Sequence, residues 1–337
     1  MKVLVPIFES RSGSTVYFDQ LKSIVGPKAI QVDSIQFAPY LEFVPNIAQR
    51  RLLTVTTVRG YDLIHSNADY GVLFRRSDKP LVVTVFHDVF DENYQKFTTL
   101  AQKAYHFGLL KQRIAKALRN ADRVIAISQS TKTSIERTFG AKHVEVIYPG
   151  IDAELFRPKK FEARDEFAGK TRLLFVGNLI KRKGADLLPA IMRKLGTDYV
   201  LYYTAGLRTQ STFTEPNMVK RIAESENDLV NLYNESDIFL FPSRLEGFGY
   251  AVGEAMACGK PIVCTDASSL PELVLDEQGG LLCRLNDVDD FVEKVRFLGA
   301  RPELRQAMGE FNRKRLMSAF SISQMGTDYA ALYQSFF

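Results

Sequence analysis

Residues 242–266 read PSRLEGFGYAVGEAMACGKPIVCTD and decide the fold of this chain. The apolar run before them, residues 237–241, is typical of a buried strand. Residues 246–249 hold too much glycine for a regular element, whereas residues 250–258 are good helix formers. A glycine and a proline end that helix, and residues 262–264 begin another strand. The stretch therefore predicts a strand, a glycine turn, a helix and a second strand.

Two carboxylates, Glu246 and Glu254, lie beside the start of this predicted helix. The backbone N–H groups of a helix start attract anions such as phosphate, and Gly247 and Gly249 let the backbone approach a ligand closely. Carboxylates are poor phosphate ligands, but they accept hydrogen bonds from sugar hydroxyls. These residues favour a nucleotide-sugar. The alternative is that the helix dipole favours Glu254 and that the glycines only form a turn.

The same stretch resembles the signature of glycosyltransferase family 4, the retaining "group 1" glycosyltransferases of the GT-B fold. The family carries Glu-x7-Glu within the pattern PS-x-x-EGFG-x-x-x-x-EAMA-x-G-x-P, and Glu246 and Glu254 occupy its two glutamate positions. The resemblance implies that Glu246 is a catalytic residue at the transferred sugar and that Glu254 binds the ribose hydroxyls. It also implies donor contacts at Gly247, Phe248, Gly249 and Tyr250.

The length of 337 residues indicates two domains, and an apolar share of 46% is sufficient for a core in each. No apolar run approaches the roughly 18 residues of a membrane span. The first residues are expected to form a strand rather than a signal peptide. Because the three cysteines, Cys258, Cys264 and Cys283, lack metal-like spacing, we expect reduced thiols in a cytoplasmic protein.

The net charge of +5 is unevenly distributed along the chain. The first 150 residues hold 20 of the 44 basic side chains but only 13 of the 39 acidic ones. A basic N-terminal half favours an anionic acceptor or a membrane surface, and the alternative is an ordinary solvated surface. Residues 100–119 predict a basic amphipathic helix, which either lies on a membrane or packs on the sheet. Its apolar side is expected to hold Ala104, Phe107, Ile114 and Leu118.

Two positions in the first half are candidate site residues because they follow predicted strands. Gly13 lies in a polar loop between a strand and a helix, which are the parts of a phosphate-facing turn, although a bare turn is the alternative. His87 follows the apolar strand 80–86, at the sheet edge where ligands bind. The resemblance implies that Gly13 contacts the donor diphosphate and that His87 is a catalytic residue at the donor sugar or acceptor. His65 is expected to be structural.

Two further segments resemble the family and divide the chain. Residues 121–128 and 144–152 are similar to its AD-x-VIA-x-S and V-x-YPG-x-D segments, which close the first domain. The resemblance predicts an acceptor-side Rossmann-like domain over 1–152 and a nucleotide-sugar-binding Rossmann-like domain over 153–319. In the GT-B fold, two such α/β domains face each other across a cleft, and a C-terminal helix, here about 320–337, crosses back to the first.

The basic residues 181–183 precede a predicted helix, 184–195, where cations and a helix start act together on a phosphate. The alternative is a basic loop in water. The family has Gly-Arg-Leu-x-x-x-Lys-Gly here, and Lys183 matches its lysine. Asn178 stands where the family has arginine, so either Arg182 supplies that charge or the donor is bound more weakly or differently. Asn178, Arg182 and Lys183 are expected to line the donor site.

An Asp-x-Asp sequence at residues 287–289 would hold a metal ion in another fold class. Here it precedes a predicted helix, 291–298, and acidic residues are favoured at helix starts. We therefore interpret it as a helix cap and expect no metal. Residues 217–227 should contact the nucleobase, but they lack the family's hydrophobic-glycine pattern, so the sequence does not identify the base.

The resemblance implies transfer of a hexose, with retention, from a nucleoside diphosphate sugar to a hydroxyl of a glycan, a lipid-linked or a small-molecule acceptor. The nucleotide-sugar is a co-substrate, and no cofactor and no nucleic acid partner are expected. The alternatives are a non-catalytic nucleotide-sugar-binding protein and a GT-B epimerase. The expected location is cytoplasmic, either in solution or at the inner membrane surface.

Overall fold

The protein is described by a computed structural model that covers residues 1–8, 13–38, 60–160, 167–205 and 212–337. The chain divides into two compact units. The first unit contains Met1–Gly150 and Ile322–Phe337, and the second contains Ile151–Ser321.

The first unit is built on a sheet of parallel strands. Its strands are β1 (Lys2–Phe8), β2 (Gln31–Phe37), β3 (Leu63–Asn67), β4 (Leu81–Val85), β5 (Arg123–Ala126) and β6 (Val144–Val146). They lie in the order β2-β1-β3-β4-β5-β6, and all neighbouring pairs are parallel. β3 and β4 are buried at every residue. Such burial explains why β4 is a nearly continuous apolar run, whereas β3 buries three polar side chains, His65, Ser66 and Asn67.

The second unit repeats this architecture with another strand order. Its strands are β7 (Thr171–Gly177), β8 (Tyr199–Ala205), β9 (Met218–Arg221), β10 (Ile238–Phe241), β11 (Ile262–Thr265) and β12 (Gly280–Cys283). They lie in the parallel order β12-β11-β10-β7-β8-β9. This is the doubly wound order of a Rossmann fold, whose ligands bind where the order reverses, at the carboxyl ends of the strands. That point lies between β7 and β10.

Helices connect the strands. They are α1 (Gly13–Val25), α2 (Glu92–Gln95), α3 (Leu100–Tyr105), α4 (Lys111–Asn120), α5 (Gln129–Phe139), α6 (Leu188–Leu195), α7 (Glu226–Glu235), α8 (Tyr250–Ala257), α9 (Leu270–Leu273), α10 (Val288–Gly299), α11 (Pro302–Ala319) and α12 (Ile322–Gln334). The predicted fold class, α/β with two parallel sheets, is confirmed. In the described ranges, no helix is both long enough and apolar enough to span a bilayer.

The predicted helix over 100–119 is wrong in one respect. A π-helical turn, His106–Leu110, separates α3 from α4. The extra residue of such a turn rotates the apolar side of the helix. Ile114 and Leu118 are buried as expected, but Ala104 is exposed and Phe107 is 49% exposed.

The Asp-x-Asp interpretation is confirmed. Asp287 occupies the N-cap of α10, and its side chain accepts a hydrogen bond from the backbone N–H of Asp290 at 3.0 Å. The helix begins at Val288, three residues earlier than predicted. The acidic residues therefore satisfy the helix start, as helix capping requires.

The last helix, α12, belongs to the first unit and packs against α1. His65, which is completely buried on β3, hydrogen-bonds through Nδ1 to the Tyr333 hydroxyl at 2.6 Å and through Nε2 to the Thr84 hydroxyl at 2.7 Å. Burial lowers the pKa of His65 to about 3, so the ring is neutral at physiological pH. The expectation that His65 is structural agrees with these contacts, which attach the last helix to the sheet.

Candidate functional site

Two loops meet at the carboxyl edge of the second sheet, where its strand order reverses. One is the 3₁₀ turn Lys181–Lys183 after β7, and the other is residues 242–249 after β10. Gly184 follows the turn with φ +70° and ψ 15°, and a Cβ atom on it would lie 1.9 Å from the carbonyl oxygen of Pro242. Glycine is therefore required both for the left-handed backbone and for the close approach of the two loops.

Two hydrogen bonds set the register between these loops. The backbone N–H of Arg244 donates to the carbonyl oxygen of Arg182 at 2.9 Å. The Arg182 side chain donates from Nη1 to the carbonyl oxygen of Leu245, also at 2.9 Å. Lys183 and Glu246 are the next residues along the two loops, so this register brings their side chains together.

Lys183 and Glu246 form a buried ion pair. Nζ of Lys183 donates to Oε1 of Glu246 at 2.6 Å and to Oε2 at 2.8 Å. The Ser243 hydroxyl donates to Oε1 at 2.6 Å, and the Glu246 side chain is only 8% exposed. Burial alone would raise the pKa of Glu246, but the charges of Lys183 and Arg182 and these hydrogen bonds outweigh it and lower the pKa. Glu246 is therefore ionised at neutral pH.

Both partners of this ion pair retain capacity for a ligand. An ammonium has three N–H groups, and Lys183 uses two of them on Glu246. A carboxylate has about four acceptor positions, and Glu246 receives three hydrogen bonds. Lys183 is 19% exposed. The pair is therefore able to bind an anionic oxygen at Lys183 and a hydroxyl at Glu246 while it stays intact.

The loop after Glu246 leads into the start of α8. Gly249 takes φ +104° at the N-cap, and no side chain caps this helix within the described part of the chain. The Gly249 carbonyl oxygen accepts hydrogen bonds from the N–H groups of Val252 and Gly253 at 2.9 and 3.1 Å. A helix start without a capping side chain attracts anions through its N–H groups and its dipole.

Two serines after β11 hold the glycine loop in place. The backbone N–H of Glu246 donates to the Ser268 hydroxyl at 2.9 Å, and the Ser269 hydroxyl donates to the Phe248 carbonyl oxygen at 2.8 Å. The Phe248 ring is buried, with 2% exposure. Phe248 therefore anchors the loop through its side chain and presents only its backbone to the loop surface.

Glu254 lies one turn into α8 and is partly buried. Its Oε2 accepts a hydrogen bond from the Tyr233 hydroxyl on α7 at 2.7 Å. Burial raises the pKa of Glu254 to about 7, although the Tyr233 hydrogen bond acts in the opposite direction. Glu254 is therefore close to half protonated at neutral pH, and additional hydroxyl donors would favour its ionised form.

The predicted helix over 184–195 begins later than expected. α6 starts only at Leu188, because the left-handed Gly184 interrupts the helical backbone after the basic turn. The sequence suggested that Lys183 acts together with the start of this helix. Instead, Lys183 pairs with Glu246. Asn178 follows β7 directly, and its carbonyl oxygen accepts from the N–H of Ile180 at 2.8 Å.

The remaining candidate residues lie in the first unit. His87 follows β4, its side chain is exposed, and its ring centroid lies 5.5 Å from that of Tyr94. Gly13 is the first residue of α1, and most of the predicted loop before it lies outside the described residues. The roles expected of His87 and Gly13 therefore stay predictions.

Sequence reasoning missed several residues that shape the site, among them Ser243, Tyr233 and Ser268. Ser243 is part of the quoted motif, so its position in front of Glu246 was a signal that could have been used. Tyr233 and Ser268 lie on other elements and carried no signal. Among the described residues, no group of three or more His, Cys, Asp or Glu side chains is arranged to hold a metal ion.

We predict that Gly184→Ala destabilises the protein by about 3 kcal/mol or more, since the left-handed backbone costs about 1–2 kcal/mol and overpacking against Pro242 costs a similar amount. Gly140 is the matched control, because it has φ +62° and ψ 27° but no atom within 4 Å of the position that a Cβ would take. Gly140→Ala should show the backbone cost alone. If chemical denaturation shows that Gly184→Ala and Gly140→Ala lose the same free energy of unfolding, the close approach of Gly184 to Pro242 is contradicted.

We predict that Glu254→Gln changes the pH dependence of stability. The pKa of Glu254 is raised from 4.5 to about 7, so its stabilising effect is complete below pH 4.5 and is lost as the pH rises through 7. Relative to wild type, Glu254→Gln should gain about 2 kcal/mol between pH 5 and pH 8, because one pKa unit corresponds to about 1.4 kcal/mol. Denaturation curves measure this, and Glu303→Gln, at an exposed position, should show no such trend.

Comparisons with known proteins cover both units. The family described as Glycosyltransferase Family 4 matches residues 12–155, and the family described as Glycosyl transferases group 1 matches residues 156–315. An uncharacterized glycosyltransferase of Methanocaldococcus jannaschii is 30% identical over 210 residues, which cover 61% of this chain and 57% of the relative. The chain spans about half the length of the first curated relatives that it matches.

Two solved structures share the fold over nearly the whole chain. Sucrose-phosphate synthase from Thermosynechococcus elongatus has a TM-score of 0.86 at 20% identity and covers 99% of this chain and 98% of its own. Anabaena HepE in complex with UDP and glucose has a TM-score of 0.76 at 19% identity and covers 99% and 100%. The GT-B fold expected from the resemblance is thereby confirmed, and the chain belongs to the group 1 glycosyltransferases.

Proposed function

We propose that the protein is a retaining glycosyltransferase that moves a hexose from a nucleoside diphosphate sugar to a hydroxyl acceptor. The observation that carries the proposal is the Lys183–Glu246 ion pair, which lies on the loops after β7 and β10, with the uncapped start of α8 three residues further on. This arrangement offers a cation and helix N–H groups to a diphosphate, and it offers an ionised carboxylate to sugar hydroxyls.

The diphosphate would be bound by Lys183, Arg182 and the start of α8. The remaining N–H of Lys183 donates to a phosphate oxygen, and the helix start adds backbone donors. Arg182 lies close enough to contribute to the lowered pKa of Glu246. This proximity supports the proposal that Arg182 supplies the positive charge that the family places at the position of Asn178.

The sugar and the ribose would be bound by the two glutamates. Glu246 accepts a hydrogen bond from a hydroxyl of the hexose, with its charge balanced by Lys183. Glu254 accepts from the ribose hydroxyls, which is a role for the ionised carboxylate. Binding would therefore lower the pKa of Glu254 from about 7, because hydrogen bonds to a carboxylate favour its charged form. Gly247, Phe248, Gly249 and Tyr250 would contribute backbone contacts.

The reaction breaks the bond between C1 of the hexose and the diphosphate oxygen. Positive charge develops on the sugar ring and negative charge on the leaving diphosphate, and Lys183, Arg182 and the helix start stabilise the latter. The acceptor hydroxyl attacks C1 on the same face, and its proton passes to the leaving phosphate. Glu246 orients the sugar and stabilises its positive charge, and it is not assigned as a covalent nucleophile.

The first donor to test is a UDP-sugar. HepE was solved with UDP, with UDP and glucose and with UDP-glucose, and its chain aligns with nearly all of this one. The competing proposal is a non-catalytic nucleotide-sugar-binding protein, since Asn178 departs from the family pattern. Transfer to an acceptor separates the two, because a binding protein would retain UDP without turnover. The roles implied for Gly13 at the donor diphosphate and for His87 at the donor sugar or acceptor remain proposals.

We predict that Glu246→Gln and Lys183→Ala each lower kcat/KM for transfer by about 100-fold or more, the loss typical of a donor that stabilises transition-state charge. UDP release from a panel of UDP-sugars, with and without acceptors, is the measurement. Lys181→Ala is the control, because Lys181 lies in the same turn, carries the same charge and has an exposed side chain. It should retain activity within about threefold of wild type, a change in activation free energy of less than about 0.6 kcal/mol.

Lys183→Ala also leaves Glu246 as a buried charge without its partner, which typically costs about 3–5 kcal/mol of stability. The double variant Lys183→Ala/Glu246→Gln removes both charges and should fold more stably than Lys183→Ala. Activity of the folded double variant close to wild type would contradict the proposed site. Wild-type turnover that survives both single changes would contradict it as well.

A second proposal concerns the membrane surface and rests on α3 and the π turn. Leu100 is 85% exposed, Phe107 49% and Leu109 39%, and Lys103 and Lys111 lie on the same helical segment. Exposed apolar side chains beside lysines are typical of a helix that lies on anionic lipid. We propose that this segment contacts an anionic membrane surface.

We predict that the protein sediments with vesicles containing anionic phospholipid and less with purely zwitterionic ones, because lysines and apolar groups act together there. The double variant Leu100→Ser/Phe107→Ser should bind vesicles at least about fivefold more weakly, because it removes two apolar side chains that would enter the membrane surface. Val16→Ser is the control, since Val16 is 51% exposed on α1 of the same unit. Equal weakening by Val16→Ser, or no binding at all, would refute the proposal.

A further inference from the structure

Arg244 connects three loops at the carboxyl edge of the second sheet. Its Nη1 and Nη2 donate to the two carboxylate oxygens of Asp186 at 2.6 and 3.0 Å. Nη1 also donates to the carbonyl oxygen of Lys181, and Nε donates to Oδ1 of Asn286 at 2.5 Å. Asp186 and Lys181 follow β7, Arg244 follows β10, and Asn286 follows β12.

The geometry of these contacts is that of a rigid clamp. A guanidinium donates in a fixed planar fork, and two parallel bonds to one carboxylate add orientation as well as energy. Asn286 has φ +64°, a left-handed conformation that asparagine tolerates better than most residues and that places its amide at Nε of Arg244. The Arg244 side chain is 10% exposed, and each of its three nitrogens donates within the protein. The Arg244 side chain thus connects the loop after β10 to the loops after β7 and β12.

The clamp closes around the turn that carries Lys183. The Arg244 side chain holds the carbonyl oxygen of Lys181, and the Arg244 backbone N–H holds the carbonyl oxygen of Arg182. Within the turn itself, the N–H of Lys183 donates to Ile180 and that of Gly184 to Lys181. The carbonyl oxygens of the two residues before Lys183 are therefore both bound by Arg244. Glu246 lies two residues after Arg244 along the chain.

We propose that Arg244 is a positioning residue that keeps the Lys181–Lys183 turn closed on the β10 loop and so holds Lys183 at the diphosphate and at Glu246. The inference deepens the proposed transferase function and rests on it for its kinetic consequence. Its structural consequence, the closure of the turn, does not depend on any activity. Asp186 and Asn286 act with Arg244 by fixing the direction of its guanidinium.

The structural part is tested by amide hydrogen exchange on the unliganded protein. Arg244→Ala should accelerate exchange of the Lys183 and Gly184 amides by at least about tenfold, since opening of the turn exposes both. Arg244→Lys keeps the charge but loses the fork, so it should accelerate exchange as well. Asn286→Gly keeps the left-handed backbone and removes only the Nε acceptor, so its effect should be smaller but in the same direction.

Arg305→Ala is the control for a general loss of stability. Arg305 also donates to two backbone carbonyl oxygens, those of Leu298 and Gly299, but at the start of α11. Its removal should leave exchange at Lys183 and Gly184 unchanged. Unchanged exchange in Arg244→Ala, or equal acceleration in Arg305→Ala, would overturn the proposal.

The kinetic part is tested by a double-mutant cycle. Arg244→Ala alone should lower kcat/KM by about 10- to 100-fold, the size expected when a catalytic group is displaced by about 1 Å. In the Lys183→Ala background, the same change should cost less than about threefold, because residues that act through one group are not additive. Full additivity would overturn the positioning role. A wild type that exchanges as expected but transfers no sugar would refute the transferase function and leave the clamp supported.

Discussion

The site depends on one buried ion pair between Lys183 and Glu246. Two charges removed from water cost several kcal/mol each, and attraction compensates for this only when geometry and further hydrogen bonds are good. Here Lys183 reaches both oxygens of Glu246 within 2.8 Å, Ser243 adds a third hydrogen bond, and the charge of Arg182 acts in the same direction. The pair therefore constrains both loops that carry it and leaves Glu246 ionised.

The same constraint organises the residues around the pair. Gly184 permits the turn to approach Pro242, and the left-handed Gly249 begins α8 directly behind Glu246. α8 then carries Glu254, which meets Tyr233 of α7. Glu246 is ionised at neutral pH because the charges of Lys183 and Arg182 outweigh its burial, whereas burial outweighs the Tyr233 hydrogen bond at Glu254 and leaves that carboxyl close to half protonated. The two glutamates therefore differ in pKa because one has nearby cations and the other is mainly affected by burial.

The predicted strand, glycine turn, helix and strand of residues 242–266 are confirmed by β10, α8 and β11, because each was determined by residues close in sequence. The same local reasoning was wrong at Gly184, where contact with Pro242 requires a left-handed backbone and delays α6 to Leu188. It was also wrong at His106–Leu110, where a π turn that the apolar periodicity did not indicate separates α3 from α4. At Gly184, a tertiary contact overrode local helix propensity.

The amino-acid sequence by itself determined the alternation of strands and helices, the cap at Asp287 and the identity of the candidate donor-site residues in the second half. Only the tertiary structure decided that Lys183 and Glu246, which are 63 positions apart, neutralise each other, and that Arg244 ties their loops together. The physical reason is that local propensity does not encode strand order. β7 and β10 become neighbours only when the doubly wound sheet has assembled, and the loops after them meet there.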